Sequence, residues 1–275
     1  MARFAIALGN EYHQGPKGVP KIIHKLINLH RDENLEEWFL TEINSNGQVP
    51  VMTRERLDGS KQTRLEVTTE SVAISKFFGE SFFPGLLGGA HKGEVDNLLK
   101  SIHEIQAFSL SIKSPSKEQG VEVPDPGLDA LLARTDISGN YRRALEYKRE
   151  QIDSDSYYQN LAYALRPENI NKAKAQAADL FQQLLLLYRD HHLSSATEQE
   201  QGIWLFGATG PTILDAHAVA LIARIDDAGQ DELVPADLLA YARKIRSLPA
   251  WETVTHGRNT IWNKGYGHVH LLEDF

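Results

Sequence analysis

The stretch from Ile43 to Phe78, INSNGQVPVMTRERLDGSKQTRLEVTTESVAISKFF, constrains the chain most. Asn44, Ser45, Asn46 and Gly47 are turn formers. Val49-Pro50-Val51-Met52 then opens a strand, where proline is tolerated only at the first positions or on an edge. Asp58-Gly59 predicts a tight reversal, and Arg64 to Thr68 returns with alternating character. Thr69 is the expected N-cap of a helix that has Glu70 and Ser71 in its first turn. Val72, Ile74, Phe77 and Phe78 are its expected buried stripe.

This order has a chemical meaning. An exposed strand edge can pair with the backbone of a peptide ligand. A helix start offers free amides and partial positive charge to a carboxylate. The segments N-S-N-G-Q-V-P-V-M and E-S-V-A-I resemble the glutathione-binding half of the glutathione S-transferase family, with Ser45 where that family usually has proline. The resemblance implies a cis Pro50, with Val49 offering its backbone to glutathione. It also implies Ser71 on the γ-glutamyl carboxylate, Glu70 on the ligand's ammonium and Gln48 on its glycyl carboxylate.

Arg3 to Leu8 is a short apolar run that reads as a first strand, followed by a Gly/Pro-rich loop from Gly9 to Ile23. Gly15-Pro16-Lys17-Gly18 resembles the fungal branches of the family, which place the thiol-steadying group here. No serine or threonine precedes Thr41, leaving Lys17, Tyr12 and Asn10 as the candidates. Lys17 would favour a thiolate by charge, Tyr12 by its hydroxyl and Asn10 by its amide. Two readings of the next stretch stand open. Either His24 to His30 is a second strand after a shortened first helix, or Pro20 to His30 is itself a helix.

Arg31 to Glu42 is expected as a helix, and FFPGLLGG at Phe82–Gly89 as a linker. Helical patterns follow: Val95 to Phe108, Leu128 to Ile152 with a break near Ser138-Gly139, Asn171 to His191, Pro235 to Ser247, and Trp251 to Trp262. Ser114 to Gly127 reads as a surface loop. Thr212 and Asp215 form a capping box ahead of a nearly all-apolar helix, which belongs at the centre of a bundle. His217 beside Asp215, and the pair His191-His192, read as structural.

The implied fold is an α/β thioredoxin-like N-terminal domain over residues 1–84 and an all-α helical C-terminal domain over residues 91–275, with the first helix shortened. The implied function is a glutathione-dependent enzyme that adds the thiolate to a small hydrophobic electrophile. Reversal of such an addition after bond rotation would give cis–trans isomerisation. Phe108, Tyr157 and Tyr158 are candidates for the electrophile's pocket, and a homodimer is implied. The alternative is a non-catalytic binding or regulatory module of the same fold.

Composition narrows the remaining classes. A net charge of −8 opposes a general nucleic-acid binder, which needs a basic face. With no cysteine, disulfides and thiolate metal sites are excluded. No P-loop, dinucleotide fingerprint or metal-ligand cluster is present in the sequence, so no metal is expected. Without a long apolar run, a cytoplasmic protein that does not engage membranes is expected.

Overall fold

The computed structural model describes residues 1–13, 19–57, 63–111, 127–153, 161–193, 202–207 and 210–261. They are mostly helical, with one two-stranded antiparallel sheet. The chain groups into two compact units, each assembled from separated stretches. The first comprises Met1–Pro20, Ser75–Gly120 and Ala164–Trp262, and the second Lys21–Ile74, Val121–Tyr163 and Asn263–Phe275. The linker expected near residue 90 lies inside the first unit, as two 3-10 turns at Pro84–Leu87 and Gly89–His91.

The first unit begins with a correction. Residues expected as a strand form helix α1, Ala2–Tyr12. Phe4, Ala5, Ile6, Leu8 and Gly9 are all buried, a run that strict strand alternation cannot produce on one face. The alanines at 2, 5 and 7 also favour helix. Phe4 meets Trp251 edge to face with ring centroids 5.0 Å apart. Gly9 lets the ring of Phe83 approach so closely that a Cβ there would lie 2.4 Å from it.

Helix α2, Ser71–Ser81, passes from the second unit into the first at Ser75. Helix α3 is Lys92–Glu104, burying Val95, Leu98, Leu99 and Ile102. It stops short of Phe108, which stands in a 3-10 turn at Ala107–Leu110.

In the second unit, α4 (Leu128–Ala133) and α5 (Gly139–Asp153) flank the break expected near Ser138. Leu128, Tyr141 and Leu145 pack with Leu35 and Leu40 into this unit's core. The Tyr141 hydroxyl donates to the Leu35 carbonyl at 2.7 Å. Leu35 and Leu40 come from a second departure. Arg31 to Glu42 holds short 3-10 turns and a π turn at Phe39–Ile43, not a continuous helix. Residues 21–28 are neither the strand nor the helix considered for them.

Helix α6 is the short Leu161–Ala164, and α7 runs Pro167–Leu193. Helix α8, Ile213–Asp227, is buried along nearly its whole length and packs on α1 and α3. It also packs on α9, Ala236–Arg246. It is the central helix that its apolar sequence predicts. Helix α10, Pro249–Thr255, packs on α1 and α9 and ends before the expected Trp262.

Strand β1 (Val51–Leu57) pairs with β2 (Thr63–Thr69) in the register Val51↔Thr69 through Leu57↔Thr63. On one face Arg54 pairs with Glu66 at 2.5 Å. The expected Asp58-Gly59 reversal lies outside the described residues, as does the Ser114–Gly127 loop up to its last residue. Among the described residues, no helix is long and apolar enough to cross a membrane.

Candidate functional site

Hairpin register joins the two sequence motifs. Because Val51 faces Thr69 in the last rung, Pro50 and Glu70 are the next residues outward from the two strands. The Val49–Pro50 peptide bond is cis. Val49 is 41% exposed, and among the described residues neither its N–H nor its C=O has a partner. It is a stretch of backbone just ahead of β1 that is open to pairing with an added backbone.

Glu70, not Thr69, holds the cap position of α2, since its carbonyl accepts from the Ile74 amide at 3.0 Å. Its φ is 70°. A left-handed conformation costs a non-glycine residue roughly 1–2 kcal/mol, and such outliers cluster at ligand clamps. The Glu70 side chain is exposed, and its carboxylate has no ion-pair or hydrogen-bond partner among the described residues. Among the described residues no contact accounts for a glutamate there, where glycine or asparagine would be cheaper. Ser71 follows, partly exposed in the first turn of α2.

The turn leading to Val49 is fixed from beneath. Buried Asn44 accepts the Asn46 amide on its side chain at 3.0 Å and donates its Nδ2 to the Gln48 carbonyl at 2.9 Å. Asn34 donates to the Gly47 carbonyl at 2.8 Å, and Lys148 on α5 donates to the Asn46 carbonyl at 2.7 Å. Gly47 has φ 59°, which suits glycine.

Gln48, Val49, Pro50, Glu70 and Ser71 are therefore gathered in the second unit at one end of one hairpin. The other candidates are not part of that group. Lys17, Tyr157 and Tyr158 lie outside the described residues. Asn10 and Tyr12, expected on a loop, sit in the last turns of α1 in the first unit. Tyr12 packs edge to face on Trp204 with centroids 5.0 Å apart. Burial, and secondarily the neighbouring Glu11 carboxylate, push its hydroxyl up to about 12, so it can donate a proton bond but not act as an anion. Phe108 is 39% exposed, with the Arg224 guanidinium 5.3 Å from its ring centre.

A second polar cluster escaped sequence reasoning. Ser75 Oγ lies 2.9 Å from His217 Nε2, and His217 Nδ1 lies 2.8 Å from His103 Nε2. Burial lowers the pKa of His103 and lowers that of His217 further, so both are neutral at pH 7. Ser75 and His217 are fully buried, which denies a substrate access to either. Asp215 does not join them. Its carboxylate accepts from the Leu205 amide, the Thr212 amide and hydroxyl, and the Tyr241 hydroxyl, all at 2.7–2.8 Å. The capping box is thus complete in both directions, and neither His217 nor Asp215 serves as an acid–base pair. Among the described residues no group of three histidines or carboxylates is placed to hold a metal ion.

No protein-family model, curated protein or solved structure matches this chain. Chemically, the hairpin site combines backbone at Val49 that has no partner among the described residues, an exposed carboxylate and a helix start within one short span. That set complements an extended peptide bearing both an ammonium and a carboxylate at one end.

Proposed function

We propose that this chain binds glutathione at the end of the β1–β2 hairpin and activates its thiol for attack on a small hydrophobic electrophile. The reading is carried by one observation: the register puts Glu70, held at φ 70°, at the same end of the hairpin as Val49, whose backbone has no partner among the described residues. Val49 would pair with the cysteinyl backbone. Ser71 and the α2 amides would take the γ-glutamyl carboxylate, Glu70 the ammonium and Gln48 the glycyl carboxylate.

In fold terms, β1, β2 and α2 correspond to the strand–strand–helix half of a thioredoxin-like domain, and the helices of the first unit to the helical domain that accompanies it in glutathione S-transferases. Lys17 is assigned to steady the thiolate by charge. The sulfur would attack an electrophilic carbon, forming a C–S bond. The thiol proton would pass to solvent, and either a leaving group would depart or the resulting enolate would be protonated. Reversal after bond rotation would make the net reaction an isomerisation. A homodimer belongs to the same reading.

Calorimetry with glutathione tests it. Wild type should bind, and Glu70→Ala or Ser71→Ala should each weaken binding about tenfold, the worth of a charged hydrogen bond. Unchanged affinity in both variants would remove glutathione from this site.

A non-catalytic module is the second reading, favoured by the placement of Asn10 and Tyr12 in a packed helix. Ultraviolet titration of bound glutathione separates the two. An enzyme lowers the thiol pKa, and Lys17→Met reverses that shift. A module binds glutathione without shifting it.

A further inference from the structure

The turn before the cis proline is unusual in how its carbonyls are used. Three consecutive ones, at Asn46, Gly47 and Gln48, each accept from a side chain elsewhere in the second unit: Lys148, Asn34 and Asn44 respectively. Tyr147, next to Lys148 on α5, adds a bond from its hydroxyl to the Asn46 side-chain oxygen at 3.2 Å. Lys148 is only 5% exposed, rare burial for a lysine. A Cβ on Gly47 would lie 3.5 Å from the Lys148 stem and 3.2 Å from Leu40, so both side chains crowd the space beside the turn.

We propose that Lys148 is a positioning residue for the ligand edge, its ammonium locking the Asn46–Gln48 turn so that Val49 is already set for backbone pairing before a ligand arrives. The proposal rests on the glutathione reading for the ligand's identity, but not for the locking itself. Once Asn46, Gly47 and Gln48 have turned their carbonyls inward, the backbone groups of Val49 come next along the chain and face no internal partner among the described residues. Lys148 does not touch the ligand in this account. It acts through the turn, reducing the ordering cost that a mobile edge would exact on binding.

Lys148→Met keeps the stem and removes the ammonium, while Lys148→Arg restores a donor. Amide exchange of Asn46 and Gly47, both bonded to Asn44, reports the turn without any ligand. In Lys148→Met those amides should exchange about tenfold faster and glutathione should bind about tenfold more weakly. Lys148→Arg should return the affinity to within about threefold of wild type. Unchanged exchange and affinity in Lys148→Met would overturn the proposal, as would a failure of Lys148→Arg to rescue. Should Lys148→Met not fold, Asn34→Ala, which frees only the Gly47 carbonyl, gives the same two readings. If wild type itself binds no glutathione, the functional reading falls alone, because the exchange measurement still decides for or against Lys148.

Discussion

Pro50 and Glu70 are the first residues beyond the Val51–Thr69 rung, one at the end of each strand of the hairpin. That placement brings two motifs far apart in sequence to one end of the hairpin. Its cost is visible at Glu70, a non-glycine residue in the left-handed region whose carboxylate has no partner among the described residues. Such strain persists where surrounding structure imposes it and function uses it.

Glu70→Gly should separate stability from binding. Glycine relieves a left-handed penalty of roughly 1–2 kcal/mol but adds about 0.5–1 kcal/mol of unfolded-state entropy. The thermal midpoint should therefore hold or rise slightly, while glutathione affinity falls about tenfold. A midpoint several degrees lower would mean that the Glu70 side chain supports the fold instead.

Gly9→Ala tests the packing of α1. The added Cβ would meet the Phe83 ring at 2.4 Å, and overpacking of this kind costs about 1–3 kcal/mol. Urea unfolding should show that loss. An unperturbed midpoint would contradict the close approach of α1 to Phe83.

That helix was the least legible part of the sequence. A short apolar run fits a strand or a buried helix equally well, and periodicity alone cannot choose. The hairpin and the α8 box were legible because their signals are local: turn residues, alternation, and Thr212 three positions before Asp215. By contrast, the φ of Glu70 leaves no mark, since no glycine or asparagine announces it. Lys148 beneath Asn46 and His217 beside Ser75 are long-range partnerships that only the folded chain creates.

The Thr212–Asp215 box should matter well beyond an ordinary cap. Asp215→Ala would leave the Leu205 amide and the Tyr241 hydroxyl buried without their acceptor. Each such orphan costs about 1–3 kcal/mol, so a loss of several kcal/mol is expected in denaturant unfolding. Thr212→Ala should cost less, about 0.5–2 kcal/mol. A reversed order would show that the carboxylate is not the hub of this network.

Acid should weaken the fold through His103 and His217. Burial depresses both folded pKa values, so below the unfolded value near 6.5 the unfolded chain binds protons that the folded one refuses. Their contribution is complete above about pH 6.5 and declines as pH falls, by about 1.4 kcal/mol per pH unit for each histidine. Unfolding free energy measured from pH 8 to pH 5 should fall less steeply in His103→Gln than in wild type. Parallel curves would show that His103 takes up its proton equally in both states.

The most direct test of the central claim is an amide chemical-shift titration of the wild-type protein with glutathione. A single peptide site at the hairpin end predicts that Val49 and Ser71 shift together and saturate at one dissociation constant, with smaller changes at Gln48 and Glu70. Shifts confined to other residues, or Val49 and Ser71 moving with different constants, would contradict it.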